Sequence, residues 1–193
     1  MARPREFDPE EALAKAMQVF WKHGYADATL PDLLAGMDLT RGSLYKAFTD
    51  KKTLFLRVLE KYDEQVVSDA VNLLTDSKQD GWSRIFALFD MVADTIRSGD
   101  QRGCLLCSAI AGPAAIDQDI EAFATKSLNR MQTAFEQALE PVVPVGQSGA
   151  LANLLVVQYM GIRIMARTNG TAPKIEQSIN ALKDMARKFG YSP

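Results

Sequence analysis

Apolar positions recur at helical spacing along most of the chain, and the pattern is densest between residues 29 and 55. There it predicts two short helices, a tight turn and the start of a third helix. Leu33 and Leu34 lie on the apolar face of the first helix. Thr29, with Asp32 three residues later, gives a start signal of the capping-box type. The segment 36–39 ends this helix, and Thr40 is the predicted N-cap of the next.

The second short helix, residues 41–48, has one apolar and one polar side. Leu44 and Phe48 stand four residues apart and are expected to face the core. The opposite side carries groups that hydrogen-bond phosphates and base edges, and Gly42 permits close approach of the backbone. These exposed candidates are Arg41, Ser43, Tyr45 and Lys46. The pattern is typical of a helix that reads the DNA major groove.

Further cations flank this unit. Asp50 is the predicted cap of a third helix, and Lys51 and Lys52 lie in its first turn, where two positive charges oppose the helix dipole. A docked phosphate would offset that cost; the alternative is that both lysines are simply solvated. Arg3 and Arg5 form a short basic arm, either a solvated tail or a second DNA contact.

Taken together, these residues resemble the DNA-binding domain of the TetR family of transcriptional regulators. The resemblance rests on the following residues: Phe20, Gly24, Tyr25, Thr29, Leu33, Arg41, Gly42, Ser43, Leu44, Tyr45, Phe48, Lys51 and Leu54. It departs from the family at Asp38, where a turn glycine is usual, and at Ala47, where a larger residue is common. Asp tolerates the left-handed conformation, so we still expect the turn.

The resemblance implies an all-α fold of about nine helices. A three-helix helix-turn-helix domain would span residues 1–50, and a connector helix with an effector-binding and dimerisation domain would span residues 51–193. The implied DNA-binding residues are Thr29, Thr40, Arg41, Gly42, Ser43, Tyr45, Lys46, Lys51, Lys52, Arg3 and Arg5.

The remainder of the chain reads as helix after helix, with no convincing strand. A connector from residue 51 to about residue 74 repeats apolar residues every four positions at Leu54, Val58, Tyr62 and Val66. Further helices are predicted at 82–97, 104–111, 117–139 and 148–168, and a last one carries Ile175 through Phe189.

The helix at 148–168 is apolar on more than one face, which is typical of burial combined with an interface. With the final helix it resembles the pair that family members use to dimerise. The alternative is burial inside one monomer. The predicted interface residues are Leu155, Tyr159, Ile162, Ala166, Ile175, Ile179, Leu182 and Met185.

An effector site is expected within the C-terminal bundle. Arg163 lies in an apolar helix and is expected to pair with an acidic effector or an internal carboxylate. Cys104 and Cys107 share one face of a helix start, where a thiol is acidified; they are either sensing thiols or small packing residues. The candidate pocket residues are Trp82, Phe86, Phe89, Cys104, Cys107, Met131, Phe135, Tyr159 and Arg163.

Composition and charge restrict the classes of function that fit this chain. The net charge of −2 argues against a generally nucleic-acid-binding protein, whereas basic residues cluster between 39 and 62. A single histidine and the lack of a metal-spaced cluster, a phosphate loop or a G-x-S-x-G motif give an enzyme, a cofactor or a metal site no support. We expect no signal peptide and no membrane span.

The sequence therefore predicts a cytoplasmic, homodimeric DNA-binding regulator, most simply a repressor. A small-molecule or thiol-reactive effector would release it from a palindromic operator. The alternative is a ligand- or stress-sensing helical protein that no longer binds DNA.

Overall fold

A computed structural model describes residues 7–191, all of them in helices and the turns between them. The predicted arm residues Arg3 and Arg5 lie outside this range. The ten α-helices are α1 (Pro9–Asp27), α2 (Leu30–Met37), α3 (Arg41–Phe48), α4 (Lys51–Tyr62), α5 (Ser68–Thr75), α6 (Gly81–Arg97), α7 (Leu105–Ala111), α8 (Gln118–Leu139), α9 (Ser148–Met165) and α10 (Ala172–Arg187). A π-helical turn (Asp63–Val67) joins α4 to α5, and a 3-10 turn (Pro113–Ile116) follows α7. Counting α4 and α5 as one rod gives nine helices within residues 7–191, so the predicted all-α fold is confirmed.

Local capping sets the boundaries of the N-terminal helices. Thr29 and Asp32 form a reciprocal capping box at the start of α2, and the Thr40 hydroxyl accepts from the Ser43 amide at the start of α3. Asp38 ends α2 in the left-handed conformation, with φ of 56°. These three predictions are confirmed because each depends on residues within one helical turn.

Helix α1 is interrupted at Gly24, whose φ of 81° and ψ of 170° are not helical. The regular helix therefore ends at Gly24, and a short further segment runs to Asp27. The bend seats Tyr25 beside the core, where its ring centroid lies 4.8 Å from that of Phe55.

Helix α4 packs on α1 and joins the two halves of the molecule. The Phe20 and Phe55 rings meet edge to face, with centroids 4.9 Å apart. The first turns of α4 thus complete the core of the N-terminal helices, and the division at residue 50 stays a prediction.

The π-helical turn changes the register of the connector. An i→i+5 turn inserts one extra residue, which rotates the following side chains around the helix. Val67 is consequently buried whereas Val66 is only half-buried. The predicted stripe at Leu54, Val58 and Tyr62 is confirmed, and at Val66 it continues only half-buried because the turn moves the fully buried position to Val67.

The C-terminal helices enclose a second part of the same apolar core. Phe86, Phe89 and Phe135 are almost completely buried, and the rings of Phe89 and Phe135 lie 6.2 Å apart. Helix α8 packs against α5, α6 and α9. The outer faces of α9 and α10 remain exposed.

One helix within residues 7–191, Ser148–Met165, is long and apolar enough to cross a membrane by length and composition alone. Core helices of soluble proteins pass the same test, so the prediction of no membrane span is not contradicted. The same helix holds the buried Arg163 and packs against α8, and 33% of it is buried inside the protein.

Candidate DNA-binding surface and sensor segment

Helix α3 carries five of the eleven residues predicted to contact DNA. Arg41, Gly42 and Lys46 are exposed, and Tyr45 is 40% exposed although it is a large aromatic residue. The Arg41 guanidinium carbon lies 5.7 Å from the centre of the Tyr45 ring. On the inner face, Leu44 and Phe48 are buried.

The cap residues have structural partners as well. Ser43 is half-buried, and its hydroxyl lies 3.0 Å from that of Thr40. Thr29 hydrogen-bonds Asp32 through both its amide and its hydroxyl. Thr29 and Thr40 therefore fix where α2 and α3 begin, and both residues are exposed.

The two lysines at the start of α4 make contacts inside the protein. Lys51 Nζ donates to the Ala26 carbonyl at 3.2 Å and lies 4.9 Å from the Tyr25 ring centre; burial lowers the pKa of Lys51. Lys52 Nζ lies 2.6 Å from Asp119 Oδ2 and 2.9 Å from Asp117 Oδ2. Both lysines therefore have partners within the protein and are not free phosphate ligands in this arrangement. Sequence spacing could not reveal the carboxylates that contact Lys52 at the start of α8.

A buried sulfur pair marks the start of α7. Cys104 occupies the N-cap position, Cys107 lies one turn later, and both are free thiols within the core. A hydrogen bond from Cys107 and the positive charge of Arg163 lower the pKa of the Cys104 thiol, although burial opposes them. The same hydrogen bond, together with burial, raises the pKa of Cys107.

The carbonyl of Gly103, next to Cys104, receives donors from two distant helices. The indole Nε1 of Trp21 in α1 donates to it at 3.1 Å, and Arg163 of α9 donates through Nη2. The Arg102 guanidinium carbon lies 4.2 Å from the Trp21 ring centre and is held by Asp100. The segment 100–104 thus connects α1, in the N-terminal half of the protein, to α9.

Arg163 therefore has a partner other than the carboxylate that its sequence context suggested. Its Nε and the hydroxyl of Tyr62 are buried without a hydrogen-bond partner among residues 7–191. Tyr62 is the last residue of α4, and its ring lies 5.0 Å from that of Trp21. The connector helix thus ends against the segment 100–104, which we call the sensor segment because it holds the candidate thiol Cys104.

The aromatic residues predicted to line an effector pocket fill the core instead. Trp82, Phe86, Phe89, Met131 and Phe135 are each at most 5% exposed. The larger open spaces found in the described part of the chain lie elsewhere: a groove of about 630 Å³ between α5 and α8, and a cleft of about 220 Å³ between α1, α7 and α9. The pocket therefore stays a prediction that requires these side chains to move apart.

Six of the eight residues predicted at the dimer interface are covered within the monomer. Burial inside the monomer takes up these six residues: Leu155, Tyr159, Ile162, Ala166, Ile175 and Ile179. Leu182 is half-buried and Met185 is 45% exposed. The outward apolar residues of α9 are Leu154, Val157, Ile164 and Met165. An apolar run cannot indicate which of its faces the monomer covers.

Sequence reasoning missed the residues that join distant segments. Trp21, Gly103, Asp117 and Asp119 act through partners that lie between 60 and 82 residues away. The only local signal was Asp117 as a helix cap. Residues 7–191 also contain no group of three or more His, Cys, Asp or Glu side chains arranged to hold a metal ion.

Comparisons with known proteins agree with this architecture. The family model described as "Bacterial regulatory proteins, tetR family" matches residues 12–58. The HTH-type transcriptional repressor ComR of Escherichia coli is 30% identical over 183 residues, which cover 91% of this chain and 87% of ComR.

Two solved structures are similar over both halves of the chain. A cysteine mutant of the TetR family regulator CifR, in a crystal with 26-bp operator DNA, is 25% identical with a TM-score of 0.78, covering 99% of this chain and 100% of CifR. Reduced E. coli NemR is 20% identical with a TM-score of 0.80, covering 91% and 94%, and shows the same fold. This chain therefore belongs to the TetR family of bacterial regulatory proteins, and it is a helix-turn-helix transcriptional regulator rather than an enzyme.

Proposed function

We propose that this protein represses transcription as a homodimer in the cytoplasm, where it binds a palindromic operator through the outer face of α3. The exposed Arg41, Tyr45 and Lys46 on a helix capped by Thr40 carry the proposal. Two such helices, one per protomer, would enter successive major grooves about 34–36 Å apart. The names of ComR, a repressor, and of CifR crystallised with operator DNA support it.

The experiment is a binding titration with a duplex that the wild-type protein selects from a randomised DNA pool. Lys46→Ala should lower the slope of log affinity against log salt by about 0.9 for each phosphate that the lysine neutralises. Tyr45→Ala should weaken binding by roughly 5- to 150-fold if the ring or hydroxyl reaches a base edge, since such an interaction contributes about 1–3 kcal/mol.

The matched control is Lys78→Ala, an exposed lysine in the loop between α5 and α6. It should leave both affinity and salt slope unchanged. If Tyr45→Ala and Lys46→Ala bind the selected duplex as tightly as wild type, α3 is not the reading helix.

The outward faces of α9 and α10 are the proposed dimer interface. Leu154, Val157 and Ile164 recur at helical spacing along α9, and Met185 stands exposed on α10. Two copies would bury both stripes as a four-helix bundle. An apolar surface of this kind on a cytoplasmic monomer would otherwise remain in contact with water.

Val157→Asp tests this face, because Val157 is 68% exposed in the monomer and a carboxylate there would be buried unpaired only in the dimer. Light scattering should show a folded monomer. Val145→Asp, the same substitution at a fully exposed loop residue, should remain dimeric. A dimer of unchanged stability for Val157→Asp would rule out this interface.

Release from the operator is proposed to run through Cys104. The acidified thiol lies at the start of α7, against Tyr62 of the connector and beside the carbonyl that Trp21 binds. An adduct on its sulfur would have to displace one of these neighbours, because the site is closed and densely packed. The rival route is a small apolar molecule that separates Phe86, Phe89 and Phe135.

The two routes are separated by Cys104→Ser. Under the thiol route, iodoacetamide should release wild-type protein and the Cys107→Ser control from the operator, but not Cys104→Ser. Release of all three proteins, or of none, would contradict a sensing role for Cys104.

A further inference from the structure

Two ion pairs cross from the DNA-reading half to the C-terminal bundle at a single lysine. Lys52 lies in the first turn of α4, and its ammonium group contacts Asp119 at 2.6 Å and Asp117 at 2.9 Å. Asp117 is held in place, because it also caps α8 by accepting from the Asp119 and Ile120 amides. We call Lys52, Asp117 and Asp119 the Lys52 clamp.

The clamp resolves an electrostatic conflict that the sequence left open. A lysine at a helix N-terminus opposes the dipole of its own helix. Two carboxylates offset this cost from within the protein, and their hydrogen bonds, that of Asp119 first, raise the pKa of Lys52. A phosphate is therefore not needed to account for the position of Lys52.

The clamp lies between the sensor segment and the reading helix. Asp117 follows the 3-10 turn that continues directly from α7, the helix begun by Cys104. On the other side, only Thr49 and Asp50 separate α4 from α3, and Asp50 caps α4 by accepting from the Thr53 amide at 2.7 Å. A shift of α7 can thus reach α3 through Asp117 and Lys52 with few flexible bonds between them.

We propose that Lys52 is a positioning residue, which Asp117 and Asp119 hold so that the orientation of α3 follows the position of α7, and not a DNA contact. The proposal rests on the proposed function, since it concerns how the operator-reading helix is oriented. The side chain of Lys52 is 37% exposed, so the contribution of the clamp is that of a partly solvated ion pair. Breaking such a pair should change operator affinity by roughly 1.4- to 5-fold.

The test is a double-mutant cycle read out as operator affinity over a salt series. The variants are Lys52→Met, the pair Asp117→Asn with Asp119→Asn, and all three substitutions together. Asn can replace Asp at an N-cap, so α8 keeps its start. The probe is the duplex selected by the wild-type protein, and Lys78→Met is the matched control on an exposed lysine.

A positioning role predicts that Lys52→Met and the double Asn variant shift the affinity in the same direction by the same factor, with the wild-type salt slope. The triple variant should then add nothing, because both arms break one interaction. Exchanging the charges, Lys52→Asp with Asp119→Lys and Asp117→Asn, should restore the affinity, because Asp117→Asn removes the carboxylate that would otherwise repel the one introduced at position 52.

A phosphate contact predicts the opposite behaviour. Lys52→Met would lower the salt slope by about 0.9, and the double Asn variant would bind DNA more tightly because it frees the lysine. That result, or unchanged affinity in every variant, would overturn the proposal. Lack of operator binding by the wild-type protein would instead refute the proposed function.

Discussion

Replacing Trp21 by phenylalanine should destabilise the protein more than the same change at its other tryptophan. Trp21 is 8% exposed and donates to the Gly103 carbonyl at 3.1 Å, whereas Trp82 is 5% exposed and its Nε1 has no hydrogen-bond partner within residues 7–191. The two substitutions remove the same atoms from similarly buried sites. The comparison therefore measures what the Trp21 indole contributes through its hydrogen bond to Gly103 and its contact with the Arg102 guanidinium.

The magnitude follows from what each substitution leaves behind. Trp21→Phe loses one buried hydrogen bond, worth about 1 kcal/mol, and the Gly103 carbonyl keeps Arg163 as a donor. Trp82→Phe removes a donor whose burial without a partner costs about 1–3 kcal/mol. The cavity terms are similar and largely cancel. The free energy of unfolding of Trp21→Phe should thus lie about 2–4 kcal/mol below that of Trp82→Phe.

The assay is urea unfolding followed by far-ultraviolet circular dichroism, at one protein concentration because dimerisation contributes to the stability. The slope with urea should be the same for both variants. Equal losses of stability, or a larger loss for Trp82→Phe, would refute the view that the Trp21 indole holds the sensor segment.

Three further predictions concern the sensor segment and the reading helix. Gly103→Ala should cost about 1–3 kcal/mol in the free energy of unfolding for its φ of 69°, plus a clash with the Arg163 carbonyl oxygen. Gly99→Ala is the control and should cost only the backbone strain, since nothing lies within 4 Å of its Cβ position. Equal losses of stability for the two variants in thermal unfolding would show that the clash at position 103 contributes nothing. Thr40→Ala should cost about 1 kcal/mol through loss of the α3 cap, and a Thr40→Ser variant in the same melts should recover it. Because the folded pKa of Cys104 is lowered, its thiolate persists as the pH falls and is lost only below that pKa. The alkylation rate, followed by mass spectrometry, should therefore not drop between pH 8 and 7 by the roughly eightfold expected for a thiol of ordinary pKa, ~8.5.

Local signals allowed the sequence to predict the reading domain closely. The caps at Thr29, Thr40 and Asp50 act within one turn, and the left-handed turn at Asp38 needs only a residue that tolerates it. The all-α fold followed from apolar spacing, which the bundle confirms.

Features that depend on distant partners could not be read in this way. Spacing did not reveal that Val67 is buried more deeply than Val66, because the π-helical turn leaves no mark in the apolar pattern. Ile162 and Val157 are both apolar residues of α9, yet only the neighbouring helices decide that the first is covered. Lys52 looked like a phosphate ligand because its carboxylates are more than sixty residues away.

The acceptor that joins Trp21 to Arg163 belongs to the main chain, and this limits how the connection can vary. Every amino acid supplies the same carbonyl at position 103, so no substitution there deletes the oxygen. A substitution can only reorient it by disturbing the left-handed backbone of Gly103. Divergent copies of such a protein could therefore retune their response mainly through the donors, while the atom on which the donors converge stays chemically constant.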